Sequence, residues 1–128
     1  MKILLADDEF KLRKLIATQL RKNGFEVYEA SNGKDAIALA TEILPDILVM
    51  DISMPIMDGL TAYERIRSND KLKHLPIIIL SAQNDMDSLN KIKTLKVQYH
   101  LFKPFRLKEL FDKIDDIFGK GANKGLNN

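Results

Sequence analysis

Five times along its 128 residues the chain passes from a short apolar run into a stretch with helical periodicity, and little lies between. The runs Lys2–Ala6, Phe25–Ala30, Asp46–Asp51, Pro76–Ser81 and Val97–Phe102 read as strands. The first, third and fourth are nearly continuous Ile, Leu, Val and Met, the pattern of strands buried on both faces of a parallel sheet. Phe25-Glu-Val-Tyr-Glu-Ala alternates instead, which suits a strand with one wetter face near the sheet edge.

Between the runs the period becomes that of a helix. Leu12, Leu15, Ile16 and Leu20 form one stripe, with Gln19 beside them. Ala36, Ile37, Ala40 and Ile43 form a second, ended at Leu44-Pro45 because a residue before proline avoids the right-handed helical region. A third helix is expected over Gly59 to Arg67. A fourth, over Asp85 to Leu95, is expected to bury Met86, Leu89 and Ile92. Leu107, Leu110, Phe111, Ile114, Ile117 and Phe118 define the fifth most sharply.

Five βα units in so short a chain predict an α/β fold: a doubly wound (βα)5 sandwich, flavodoxin-like, with a five-stranded parallel sheet in the order 2-1-3-4-5. Residues 1–118 form the single domain. Residues 119–128 hold three glycines and no periodicity, and read as a flexible tail or a linker remnant. The absence of Cys removes disulfides and thiolate zinc sites. No run approaches a membrane span and no leader pattern opens the chain, so a cytoplasmic protein is expected. The net charge of +2 comes from Lys120 and Lys124 in the tail, leaving no basic cluster of the kind direct nucleic-acid binding needs.

In such a sheet ligands bind beyond the carboxyl ends of the strands, where the winding reverses between strands one and three. The residues arriving there are Asp7 and Asp8, then Asp51, then Ser81-Ala82, then Lys103-Pro104. Three carboxylates in one crevice repel unless a cation joins them, and an oxygen-only set with room for water suits a hard ion, Mg2+. Helix capping would account for Asp7 or Asp8 alone, but not for Asp51, which a loop separates from the next helix. Asp51 is therefore the candidate nucleophile. Lys103 and Ser81 supply a point charge and a hydroxyl donor, the parts needed to hold a phosphoryl group, and Ala82 leaves it space. The Lys103-Pro104 bond is a candidate cis peptide.

Four segments carry a resemblance: Ile3-Leu-Leu-Ala-Asp-Asp-Glu, Leu48-Val-Met-Asp-Ile-Ser-Met-Pro-Ile-Met-Asp-Gly, Pro76-Ile-Ile-Ile-Leu-Ser-Ala and Leu101-Phe-Lys-Pro-Phe. Over residues 1–118 the sequence resembles the receiver domain of bacterial two-component response regulators, stand-alone chemotaxis-type regulators among them. The resemblance implies that Asp51 is the phosphoacceptor, fed by a sensor histidine kinase, a phosphotransfer protein or a small acyl phosphate. It implies Mg2+ on Asp8, Asp51 and the backbone carbonyl of Ser53, with Asp7 acting through water. Lys103 would pair with the phosphoryl oxygens and Ser81 would move to meet one of them. Pro104 supports the lysine turn, and Gly59 gives a turn that a side chain would obstruct. The output would be binding, through the surface of the fourth helix, fifth strand and fifth helix, to a downstream protein target or a missing effector domain. Such a chain is a signalling switch, catalysing only its own phosphorylation and autodephosphorylation.

Two departures stand out. His100 replaces the aromatic residue that usually precedes the lysine by three positions, which brings a group titrating near neutrality into the switch. Lys96-Val-Gln-Tyr-His replaces the common Gly-Ala-Asp-Asp-Tyr, so a phosphorylation-dependent dimer would lack the usual Asp at Gln98 or Tyr99. Ser53 and Gln83 occupy positions that tune autodephosphorylation in relatives, and His74 reads as plain surface. Competing classes fit less well. A phosphohydrolase of the haloacid dehalogenase type needs Asp-x-Asp after its first strand. A flavodoxin-like cofactor binder needs a phosphate-cradling loop where this chain has Asp7-Asp8-Glu9. A phosphorylation-independent receiver-like module leaves the full acceptor set without a purpose.

Overall fold

A computed structural model describes residues 1–82 and 84–119; Gln83 and, of the tail expected over 119–128, residues 120–128 lie outside the described residues. The elements alternate as β1 (Lys2–Ala6), α1 (Phe10–Lys22), β2 (Glu26–Ala30), α2 (Gly33–Ile43), β3 (Ile47–Asp51), α3 (Gly59–Arg67), β4 (Ile77–Ala82), α4 (Met86–Thr94), β5 (Tyr99–Lys103) and α5 (Leu107–Phe118). All strand pairs are parallel and the order is β2-β1-β3-β4-β5, as the run pattern predicts.

The period of two along the central strands sorts their side chains into two cores. Leu4, Leu48, Met50, Ile77 and Ile79 pack with α2, α3 and α4, joined by Ala36, Leu60, Ile66 and Ile92. Ile3, Leu5, Ile47, Val49, Ile78 and Leu80 pack on the other face with Ile16, Leu20, Leu110 and Ile114 of α1 and α5. A strand used on both faces needs apolar residues at every position, and β3 is buried along its whole length.

Several boundaries and faces move from their expected places. Phe25 precedes β2 and stacks on Phe111 of α5 at 6.3 Å between ring centroids. The fifth strand starts at Tyr99 and not Val97, because the Val97 N–H closes the end of α4 on the carbonyl of Ile92. At its other end strand five extends to Lys103, which pairs in register with Ala82 of β4. Strands three and four begin at Ile47 and Ile77, one residue later than expected. Met86, expected in the core, is exposed: the buried face of α4 runs through Ser88 and Ile92, and Met86 lies two residues, about 200°, away from Ser88. Leu15 is exposed for the same kind of reason, since α1 buries Ile16, Ala17 and Leu20. Leu44 caps α2 in the left-handed region, at φ 48°, ahead of Pro45.

Candidate functional site

The carboxyl ends of β1, β3, β4 and β5 meet at one edge of the sheet and bring Asp7, Asp51, Ser81 and Lys103 together. Carboxylate oxygens of Asp7, Asp8 and Asp51 lie within 4.8 Å of one another, the one such acidic group among the described residues. The three acids differ in setting: Asp7 is fully buried, Asp51 is 6% exposed and Asp8 faces solvent.

One ammonium serves two acids. Lys103 Nζ donates to Asp7 Oδ2 at 3.1 Å and to Asp51 Oδ2 at 3.0 Å. Its side chain is 22% exposed, so both bonds sit in a poorly solvated place. Burial alone would lower the lysine's pKa, but the bonds and charges of Asp51 and Asp7 outweigh it and raise the pKa above the ordinary value. Burial raises the Asp51 pKa, and repulsion from Asp7 adds to it, against the opposing pull of Lys103 and the Ser53 backbone. The two shifts agree physically: a single cation stays charged while two buried carboxylates compete for it.

Asp7 is tied at each polar atom. Its N–H donates to the carbonyl of Ala30 at 3.0 Å, Oδ1 accepts from the Glu9 N–H at 2.9 Å, and Oδ2 holds Lys103. The capping role open to Asp7 is thus met in part, by a turn bond just ahead of α1. Arg13 Nη1 donates to the Asp7 main-chain oxygen at 2.7 Å, a contact with no signal in the residue pattern.

Ser81 is 2% exposed, and its hydroxyl has no hydrogen-bond partner among the described residues. Such a group is costly to bury, by about 1–3 kcal/mol, and invites a reason. Its register neighbour on β5 is Phe102, while His100 pairs with Ile79 two residues earlier. Registered residues in parallel strands share a face, so Ser81, Phe102 and His100 lie on one side of the sheet. His100 is partly buried, with its ring edge-on to Phe102 at 4.9 Å. Burial, with the charge of Lys113, lowers its pKa. Ala82, Ser53 and Pro104 are exposed around the crevice, and the Lys103-Pro104 peptide is cis. His74 is exposed, as expected.

Gly59 earns its place by proximity. A Cβ there would lie 2.2 Å from the carbonyl oxygen of Asp51 and 3.0 Å from Ile52 Cα. Its N–H donates to Ile52 O at 2.9 Å, so the start of α3 seals the end of β3. The obstruction expected at Gly59 is thus one of close backbone packing and not of a left-handed conformation, since Gly59 is not among the residues with positive φ. Gly33 plays a similar part unforeseen in the sequence. Its N–H donates to Met57 O at 2.8 Å, and a Cβ would stand 2.5 Å from the same oxygen, fixing the loop that follows Asp51.

Acids, an amine and a hydroxyl at the strand ends of a 2-1-3-4-5 sheet define a class, and the match to known proteins agrees. Residues 3–115 match the model of the response regulator receiver domain, and the chain belongs to that family of two-component systems. It is 31% identical to sporulation initiation phosphotransferase F of Bacillus subtilis over 88% of this chain and 90% of that one. It is 34% identical to the chemotaxis protein CheY of Pseudomonas aeruginosa, over 92% of this chain and 96% of that one. Among solved structures, the receiver domain of a sensor histidine kinase from Pseudomonas aeruginosa superposes with a TM-score of 0.85 at 28% identity, covering 93% of this chain and 98% of that one. That structure holds a magnesium ion coordinated in its active-site cleft. No helix among the described residues is long and apolar enough to cross a membrane.

Proposed function

We propose that this chain is a phosphoacceptor switch of a two-component phosphorelay, in which Asp51 receives a phosphoryl group from a phosphohistidine on a sensor histidine kinase or phosphotransfer protein. The observation that carries the reading is the Lys103 ammonium held between Asp7 and Asp51 at the crevice edge. The oxygen-only donor set fits Mg2+: Asp8, Asp51 and the Ser53 carbonyl would hold it, and Asp7 would act through a bound water. When bound, the ion neutralises charge on the phosphoryl oxygens.

The chain's own residues do the rest. A carboxylate oxygen of Asp51 forms the new bond to phosphorus as the donor's nitrogen–phosphorus bond breaks, and the departing imidazole nitrogen keeps the electron pair. Asp51 thereby exchanges its carboxylate charge for a dianionic group further out. Lys103, already poised by two acids, follows that charge. The Ser81 hydroxyl, unpartnered at rest, gains an acceptor in a phosphoryl oxygen. Its displacement opens room on the face it shares with Phe102 and His100, and His100 turns toward it. The equilibrium shifts to a conformer with an altered α4–β5–α5 surface.

The product of this chemistry is recognition by a downstream protein target or an effector domain, and turnover is limited to the chain's own aspartyl phosphate. The chain works in the cytoplasm without binding nucleic acid directly. Amide spectra of wild type and Asp51→Asn, recorded with Mg2+ before and after acetyl phosphate, test the switch. Shifts at Ser81 and through α4 and β5 are expected in wild type alone. A wild-type spectrum that stays still, or a mutant that moves equally, contradicts it.

A further inference from the structure

The end of β1 delivers two adjacent acids with different duties, yet α1, which follows them, starts with little to hold it. Glu9 is the N-cap but its side chain makes no capping bond, and the first turn carries no acid. Arg13, one turn into α1, reaches back instead. Its Nη1 donates to Asp7 O at 2.7 Å and its Nε to Glu29 Oε1 at 3.0 Å. The two side chains are 12% and 13% exposed. Glu29 is itself anchored by Lys14 at 3.0 Å and Arg21 at 3.2 Å. The Arg13 guanidinium also lies over the Phe10 ring, 5.4 Å from its centroid.

The oxygen that Arg13 grips belongs to the peptide unit joining Asp7 to Asp8. That unit is planar, so fixing its oxygen fixes its rotation and the direction in which the chain enters Asp8. Asp7 has three further restraints, on its N–H and on both carboxylate oxygens. Asp8 is exposed, so its direction depends on the backbone that carries it. We propose that Arg13 is a positioning residue for the divalent-cation site: braced by Glu29, it sets the Asp7–Asp8 peptide and so aims the Asp8 carboxylate. The inference rests on the cation reading above and adds a residue to it.

Geometry and charge make opposite demands here, which gives the test its force. A guanidinium near three acids opposes cation binding through its field, so removing it on charge grounds alone tightens Mg2+. Removing an orienting group loosens it, by about tenfold at the low end of such effects. Isothermal titration with MgCl2 at fixed ionic strength, alongside thermal melts, compares wild type with Arg13→Gln, Arg13→Lys, Glu29→Gln, Glu29→Ala and Asp8→Asn. Weaker Mg2+ binding, by about tenfold, is expected for both Arg13 variants. Arg13→Lys matters most because it keeps the charge and loses the fork. Glu29→Gln, which retains an oxygen for Nε, is expected to stay close to wild type while Glu29→Ala weakens binding. Tighter binding in Arg13→Gln, or melting temperatures that fall with Mg2+ affinity unchanged, overturns the proposal. If Asp8→Asn loses binding while Arg13→Lys matches wild type, the cation site stands and Arg13 leaves it. If folded wild type binds no Mg2+, both fall together. Should Arg13→Gln fail to fold, Arg13→Lys and the Glu29 pair carry the same comparison.

Discussion

Replacing Gly59 by alanine sets local propensity against packing, and the structure says which wins. At the first residue of a helix, alanine gains at most about 0.5–1 kcal/mol over glycine. Against that, the new Cβ would meet the Asp51 carbonyl oxygen at 2.2 Å, its carbonyl carbon at 2.9 Å and Ile52 Cα at 3.0 Å. All three are backbone atoms, so no rotamer change relieves the contact. The start of α3 must instead move off the end of β3 by roughly 1 Å, stretching the Gly59 N–H bond to Ile52 O from 2.9 Å. Overpacking of this kind costs about 2–3 kcal/mol, leaving a net loss of about 2 kcal/mol. With a urea m-value of about 2 kcal/mol/M, the unfolding midpoint falls by roughly 1 M. The strand end that shifts carries Asp51, so Mg2+ affinity falls as well. A midpoint that is unchanged or raised, with an unchanged m-value, means the backbone yields without cost and returns Gly59 to ordinary helix propensity.

Other consequences follow from the same geometry. Asp51 has a raised pKa in the fold, so the stability it contributes is present below the unfolded carboxylate value and is lost as pH rises through the folded one. Metal-free Asp51→Asn therefore gains melting temperature over wild type as pH climbs from 3.5 to 7, and a constant difference contradicts this. Ser81→Ala removes a buried hydroxyl without a partner, so urea unfolding is expected to show unchanged or slightly greater stability, by up to about 1 kcal/mol, while phosphorylation-dependent shifts in α4 are lost. A loss of stability in that variant points to a resting partner for Ser81. His100 has a lowered pKa from burial and Lys113, so its contribution is present above the unfolded value and lost as pH falls through the folded one. His100→Phe is expected to melt progressively higher than wild type between pH 7 and 5; parallel melting curves remove the effect.

The parts of the site legible in the sequence are those that strand ends announce. Asp7, Asp8, Asp51, Ser81 and Lys103 each close an apolar run, and the strand order of a doubly wound sheet carries all five to one edge. What stayed hidden depends on contacts between elements. Arg13 looks like any surface cation of an amphipathic helix until β2 is laid beside β1 and brings Glu29 within reach. Gly33 lies at a helix start, and its value appears only when the loop after Asp51 folds back onto its N–H. Met86 shares its spacing with Leu89 and Ile92, and only the docking of α4 on the sheet shows that the buried face runs through Ser88 and Ile92, which leaves the first residue of the helix exposed. Phe102 carries no signal in the sequence because parallel register, not spacing along the chain, sets it beside Ser81.

Everything proposed for the switch depends on Asp51 accepting a phosphoryl group under the direction of Lys103 and a divalent ion. Intact mass after incubation with acetyl phosphate, with and without Mg2+, tests it on wild type, Asp51→Asn and Lys103→Ala. One phosphoryl adduct that requires Mg2+ is expected on wild type, none on Asp51→Asn, and much less on Lys103→Ala. An adduct that persists in Asp51→Asn, or forms equally without the metal, contradicts it.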